Sequence, residues 1–95
     1  MERITVRDLE AVCKRINIAV NGEALEPWIR ENGHLRAVID CYTLSGAYGG
    51  YSLHRIVGES GGVRDVFGCG HVAKRDLYER MQAFLRGIDV RSEVK

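Results

Sequence analysis

The chain has no apolar run long enough to cross a bilayer: a spanning helix needs about 20 predominantly apolar residues, and the runs here reach only a few. Its opening, Met1-Glu2-Arg3-Ile4, also lacks the apolar stretch of a signal peptide, so the expectation is a cytoplasmic protein with no membrane partner. A large excess of charge of one sign is missing too. The formal net charge is +1, which removes the simple electrostatic argument for a nucleic-acid binder, because phosphate binding draws on a clustered basic surface. Cysteine is scarce and odd in number, three in all. Cys13, Cys41 and Cys69 are therefore a poor disulfide framework and are expected reduced, the first two as small buried hydrophobes. Aromatics make up 7% and proline occurs once.

What remains is ordinary for a globular domain. Of 95 residues, 45% are hydrophobic and 28% charged, which argues against disorder and fits one domain with a modest core. Glycine is the exception. Eight of the eleven glycines fall between Gly46 and Gly70, although each costs roughly 0.5–1 kcal/mol relative to alanine inside a helix or strand. Such a cluster implies tight turns, or close approach of a partner to bare backbone.

Apolar spacing predicts a first helix over residues 6–19, from Val6, Leu9, Val12 or Cys13, Ile16 and Val20, with Thr5 and Asp8 as a capping-box variant and Asn21-Gly22 as its stop. Trp28-Ile29-Arg30 reads as a short strand, and Asn32-Gly33 is a strong signal for a type I′ hairpin turn. Alternation from Leu35 to Tyr42 predicts a second strand, Ser45–Gly50 a loop, and Tyr51–Val57 a third strand. Residues 63–67 read as a short fourth strand or an extended connection. Leu77, Met81, Phe84, Leu85 and Ile88 mark a last helix from Ala73 to Arg86, closed by Gly87. The expected fold is a single α+β domain: helix, three- or four-stranded antiparallel meander, helix, with Leu9, Ile16, Ile39, Leu53, Leu77, Met81 and Phe84 in one core.

Chemistry-bearing motifs are sparse. Cys69-x-His71 with His54 or Cys41 offers thiolate and imidazole, but no Cys-x-x-Cys or His-x-x-x-His pair is present, so no metal or other cofactor is expected. Ser45, Ser52 or Cys69 would need a base and an orienting group, and His54, His71, Asp40 and Asp65 match no motif order for nucleophilic catalysis. The glycines lack the phosphate-loop pattern, and Gly46-x-x-Gly49-Gly50 precedes a strand rather than a helix. An activity as an enzyme is not expected.

Binding is the remaining reading. Gly68-Cys69-Gly70-His71 leads into the last helix, whose free N–H groups and dipole favour an anion. Lys74 and Arg75 in that first turn oppose the dipole, at a cost of a few tenths to about 1 kcal/mol. Either they pair with Asp65, Asp76 or Glu79 in solvent, or they meet a carboxylate or phosphate. Tyr48 and Tyr51 flank Gly49-Gly50, and a tyrosine on a glycine turn supplies rigid contact area at small entropic cost. The candidate binding surface is thus Ser45, Tyr48, Gly49, Gly50, Gly70, His71, Lys74 and Arg75.

Three runs together, Leu44-Ser45-Gly46-Ala47-Tyr48-Gly49-Gly50-Tyr51, Gly61-Gly62-Val63-Arg64-Asp65-Val66-Phe67-Gly68, and Val72-Ala73-Lys74-Arg75-Asp76-Leu77-Tyr78 to Ala83-Phe84-Leu85-Arg86-Gly87, resemble a family of small uncharacterised proteins of tailed bacteriophages and prophages. The resemblance implies a phage accessory protein acting in the host cytoplasm on a host protein, such as an antiviral defence factor. It carries no catalytic residue. In outline, the element order also resembles the double-stranded-RNA-binding fold, but Lys74-Arg75 is all the chain offers where such domains carry a lysine cluster. Capture of an anionic small ligand or nucleic acid is the alternative expectation, and a homo-oligomer is compatible with either.

Overall fold

Residues 3–93 are described in the computed structural model, their side chains as far as Ile88. Helix α1, Val6–Asn21, begins where the Thr5 hydroxyl accepts the Asp8 backbone N–H and the Asp8 carboxylate accepts that of Thr5, at 2.8 Å. It ends on Gly22, left-handed at φ 82°, whose N–H bonds back to Ile18. One face buries Leu9, Val12, Cys13, Ile16 and Asn17.

Five antiparallel strands follow in two sheets. Strands β1, Trp28–Glu31, and β2, His34–Ala37, form a hairpin around Asn32 (φ 52°) and Gly33 (φ 80°), the two left-handed residues of the expected turn. Strands β3, Tyr42–Ala47, β4, Gly50–Ile56, and β5, Val63–Asp65, form a meander in that order. The last helix, α2, runs Lys74–Glu93. The α+β order of helix, antiparallel strands and helix therefore holds, and residues 63–65 are a strand.

Several boundaries differ from the sequence reading. The alternation from Leu35 to Tyr42 is broken at Asp40, left-handed at φ 72°, with Cys41 N–H bonded to Val38 C=O. The reversal starts a new strand, and it turns Ile39 outward, 44% exposed, so Ile39 does not belong to the core. The Ser45–Gly50 segment is not a loop: all but Tyr48 and Gly49 lie in β3 and β4, joined by a two-residue turn. Gly87 does not close α2, because the roughly 1 kcal/mol that glycine costs in a helix interior does not outweigh the hydrogen bonds of a continuing helix.

Both helices cover one face of the meander. The main core joins Leu9, Val12, Cys13 and Ile16 of α1, Tyr42 and Leu53 of the sheet, and Leu77, Met81 and Leu85 of α2. Phe84, expected inside, is half-buried at its rim, edge-on to Phe67 at 5.8 Å and tilted against Tyr42 at 6.0 Å. A second, smaller cluster of Ala37, Cys41 and Ile56, with Leu25 and Val38 against it, ties the β1–β2 hairpin to the other side of β4. The hydrogen bonds Ala37 N–H to Glu59 C=O and Val38 N–H to Pro27 C=O reinforce that junction.

Candidate functional site

Period-two alternation makes the meander two-faced. Leu44, Tyr51 and Leu53 point to the helices, which leaves Thr43, Ser45, Ser52, His54 and Asp65 on the opposite face. His71, arriving from the segment after β5, lies across that polar face. Its Nε2 is 3.0 Å from Ser45 Oγ, and its ring meets those of Tyr48 at 5.7 Å and His54 at 6.1 Å, both edge-on.

The backbone explains why His71 can lie there. Tyr51 and Val72 exchange two hydrogen bonds, Tyr51 N–H to Val72 C=O at 2.8 Å and the reverse at 2.9 Å, so the chain rejoins β4 after leaving β5. Gly50 permits it. A Cβ at this position would stand 2.8 Å from Val72 O, 3.0 Å from Val72 N and 3.1 Å from the His71 carbonyl carbon.

Between β5 and Val72 the chain wraps around the Asp65 carboxylate, which accepts the backbone N–H groups of Phe67 (3.3 Å), Gly68 (3.1 Å) and Gly70 (2.9 Å). Burial alone would raise this carboxyl's pKa. The N–H groups of Gly70, Gly68 and Phe67, with the nearby Ser52 hydroxyl, outweigh burial and hold it below the usual carboxylate range. Ser52 itself is fully buried. The glycine loop thus already holds an anion, one supplied by the chain.

That clasp has a pH signature. A carboxyl whose pKa is lowered on folding contributes stability above its unfolded value, about 3.9, and the contribution disappears as pH falls through the lower folded value. Asp65→Asn is expected to destabilise the protein by about 1 kcal/mol at neutral pH. The gap from the native protein should shrink below about pH 4. Urea unfolding of both proteins across that range measures it, and a pH-independent gap would contradict the clasp.

Ser45, Tyr48, Gly50 and His71 are brought together, with Gly49 completing the turn. Gly70 is engaged with Asp65 rather than facing a ligand. Lys74 and Arg75 line another depression, of about 310 Å³, with Arg3 and Ile4. Sequence reasoning weighed His54 only as a metal ligand or base and left it out of the binding surface, and it missed Asp65 as a loop clasp and Asn17. The alternation Ser52-Leu53-His54 and the spacing Asp65-x-x-Gly68-x-Gly70 carry the first two signals, and Asn17 is a polar residue on an apolar helical stripe.

Ser45 and His71 resemble a nucleophile and base only in part. Among the described residues no acceptor orients the His71 ring from its other nitrogen, and Asp65 is committed to three N–H groups. The two buried thiols are no better placed: burial, with Cys41 and Glu10 nearby, pushes Cys13 up to about 12, and burial with Glu26 raises Cys41. The half-buried Cys69 thiol donates to the neighbouring Gly70 C=O at 3.6 Å. Among the described residues no group of three or more His, Cys, Asp or Glu is arranged to hold a metal ion, and no helix is long and apolar enough to cross a membrane. No family model, no curated protein and no solved structure matches this chain.

Proposed function

We propose that the chain is a non-enzymatic protein-binding module whose docking element is the Tyr48 turn. One observation carries this reading. Tyr48 is 96% exposed and sits in the left-handed region at φ 55°, where a non-glycine residue costs of order 1 kcal/mol. Asparagine or glycine would serve the turn better. A large aromatic side chain kept in water, on a strained residue, is explained by what it contacts in a partner. His71 supports the ring edge-on, and the Ser45–His71 hydrogen bond fixes the support. Given the resemblance to phage proteins, the partner is a host protein, and an antiviral defence factor fits that role.

The alternative, capture of an anionic ligand or nucleic acid, rests on the three cationic residues Arg3, Lys74 and Arg75 around one depression at the start of α2. The Asp65 clasp weighs against it on the glycine loop, because a ligand anion there would meet both occupied N–H groups and a negative charge.

Tyr48→Asn separates function from stability. It is expected to raise the unfolding free energy by up to about 1 kcal/mol, by relieving the left-handed strain, while partner capture from host lysate falls at least tenfold. Unchanged capture would overturn the reading. Capture abolished by nuclease, or a nucleotide released on denaturation, would assign the function to the basic depression instead.

A further inference from the structure

Strand β3 is an edge of its sheet, and its outward hydrogen-bonding groups can be located residue by residue. Cys41 C=O accepts from Ile56 N–H and so points at β4. Tyr42 therefore points away, and its N–H and C=O are taken by the Asn17 side chain at 2.8 and 3.0 Å, as a neighbouring strand would take them. Alternation turns the N–H and C=O of Leu44 and Gly46 outward in the same way. Among the described residues, no strand pairs with them.

These groups open into a groove of about 720 Å³ between β3 and a wall made by α1 and residues 24–27. Its apolar lining includes Val6, Leu25, Pro27 and Tyr51, and its charged residues are Glu10, Glu26 and Lys14. The volume lies in the range of ligand clefts. The edge also lacks the usual protections: Tyr42–Ala47 contains no charged residue and no proline.

We propose that this groove takes an extended peptide segment of a partner protein, added as an extra strand to β3 through Leu44 and Gly46, with a basic side chain placed between Glu10 and Glu26. The paired backbone groups supply affinity, and the acidic excess of the groove supplies selection. Asn17 occupies the Tyr42 end of the edge and so sets where the added strand must stop. The proposal rests on the protein-binding reading and names the chemistry of the partner; Tyr48→Asn tests that reading separately, since Tyr48 does not line the groove.

The probe is a short capped peptide of alternating valine and threonine with one lysine, compared with the same peptide carrying glutamate in its place. Amide exchange of Leu44 and Gly46 is expected to be fast in the free protein and at least tenfold slower with the lysine peptide. The glutamate peptide should bind at least tenfold more weakly, and the double charge reversal Glu10→Lys with Glu26→Lys should invert the order. Gly46→Pro should abolish binding, because the N–H it removes points outward, whereas Gly46→Ala, which places the same Cβ 3.2 Å from the Tyr51 ring but keeps the N–H, should bind at least tenfold more tightly than the proline variant. Unchanged exchange at saturating lysine peptide would overturn the proposal. So would equal binding of the two peptides, or protection of Leu44 and Gly46 that grows with protein concentration alone, which would assign the edge to a second copy of this chain.

Discussion

Asn17→Ala is expected to lower the unfolding free energy by roughly 2–3 kcal/mol, since it strands the buried Tyr42 N–H, at about 1–3 kcal/mol, and leaves the Tyr42 C=O only the weak thiol donors Cys13 and Cys41. Asn17 is 4% exposed; its amide accepts the N–H of Tyr42 and donates to its C=O. Asn21 leans on the same side chain, donating to Asn17 at 3.4 Å and to Asp40 C=O at 2.9 Å. Asn17→Leu is the informative companion, because it restores buried volume without hydrogen bonds. If packing were the role of Asn17, leucine would rescue; if the strand-mimicking amide is the role, leucine should be about as damaging as alanine. Thermal or urea unfolding of the two variants decides it, and a loss below about 0.5 kcal/mol, the usual range for surface changes, would defeat the assignment.

Gly50→Ala should cost roughly 1–3 kcal/mol, the range for overpacking a closely fitted site. The added methyl meets backbone rather than a flexible side chain, at 2.8 Å from Val72 O. Relief requires parting the Tyr51–Val72 pair, and that moves His71 off Ser45 and shifts the start of α2. The effect should therefore be seen twice: in the melting temperature, and in faster amide exchange at Tyr51 and Val72. Gly49→Ala is the control, since nothing lies within 4 Å of its would-be Cβ and only its left-handed φ of 73° is strained. Equal losses at the two glycines would show that turn strain, not close approach, governs this region.

The helices were legible because their signals are local. Thr5 and Asp8 cap α1, Gly22 ends it, and the apolar spacing from Leu77 to Leu85 marks the buried face of α2. Asn32-Gly33 announced its hairpin for the same reason. The break at Asp40 was hidden, because aspartate turns left-handed there through tertiary bonds, its N–H to Ile56 and its C=O to Asn21, that no local pattern encodes. Tyr48-Gly49 was misread as part of a longer loop since tyrosine is a poor resident of a type I′ turn; the same mismatch makes it the best functional candidate. Of the site, the nearness of Ser45, Tyr48 and His71 depends on Val72 rejoining β4, a pairing across some twenty residues that composition does not reveal. The glycines were rightly singled out but serve different ends: Gly50 admits the returning chain, while Gly68 and Gly70 serve Asp65.

The small cluster beneath the β1–β2 hairpin links that hairpin to the groove. Leu25 belongs to both: it packs against Ala37, Cys41 and Ile56, and it lines the wall facing β3. With so few apolar side chains beneath it, the hairpin is expected to open before the helices and meander do, which faster amide exchange at Ala37 and Val38 than at Leu53 and Met81 would show. Under the proposed occupancy, hairpin closure and groove filling become coupled equilibria through Leu25, and the coupling is reciprocal. An occupant held against Leu25 steadies a hairpin it never touches, and a change in the hairpin alters affinity in a groove it does not line.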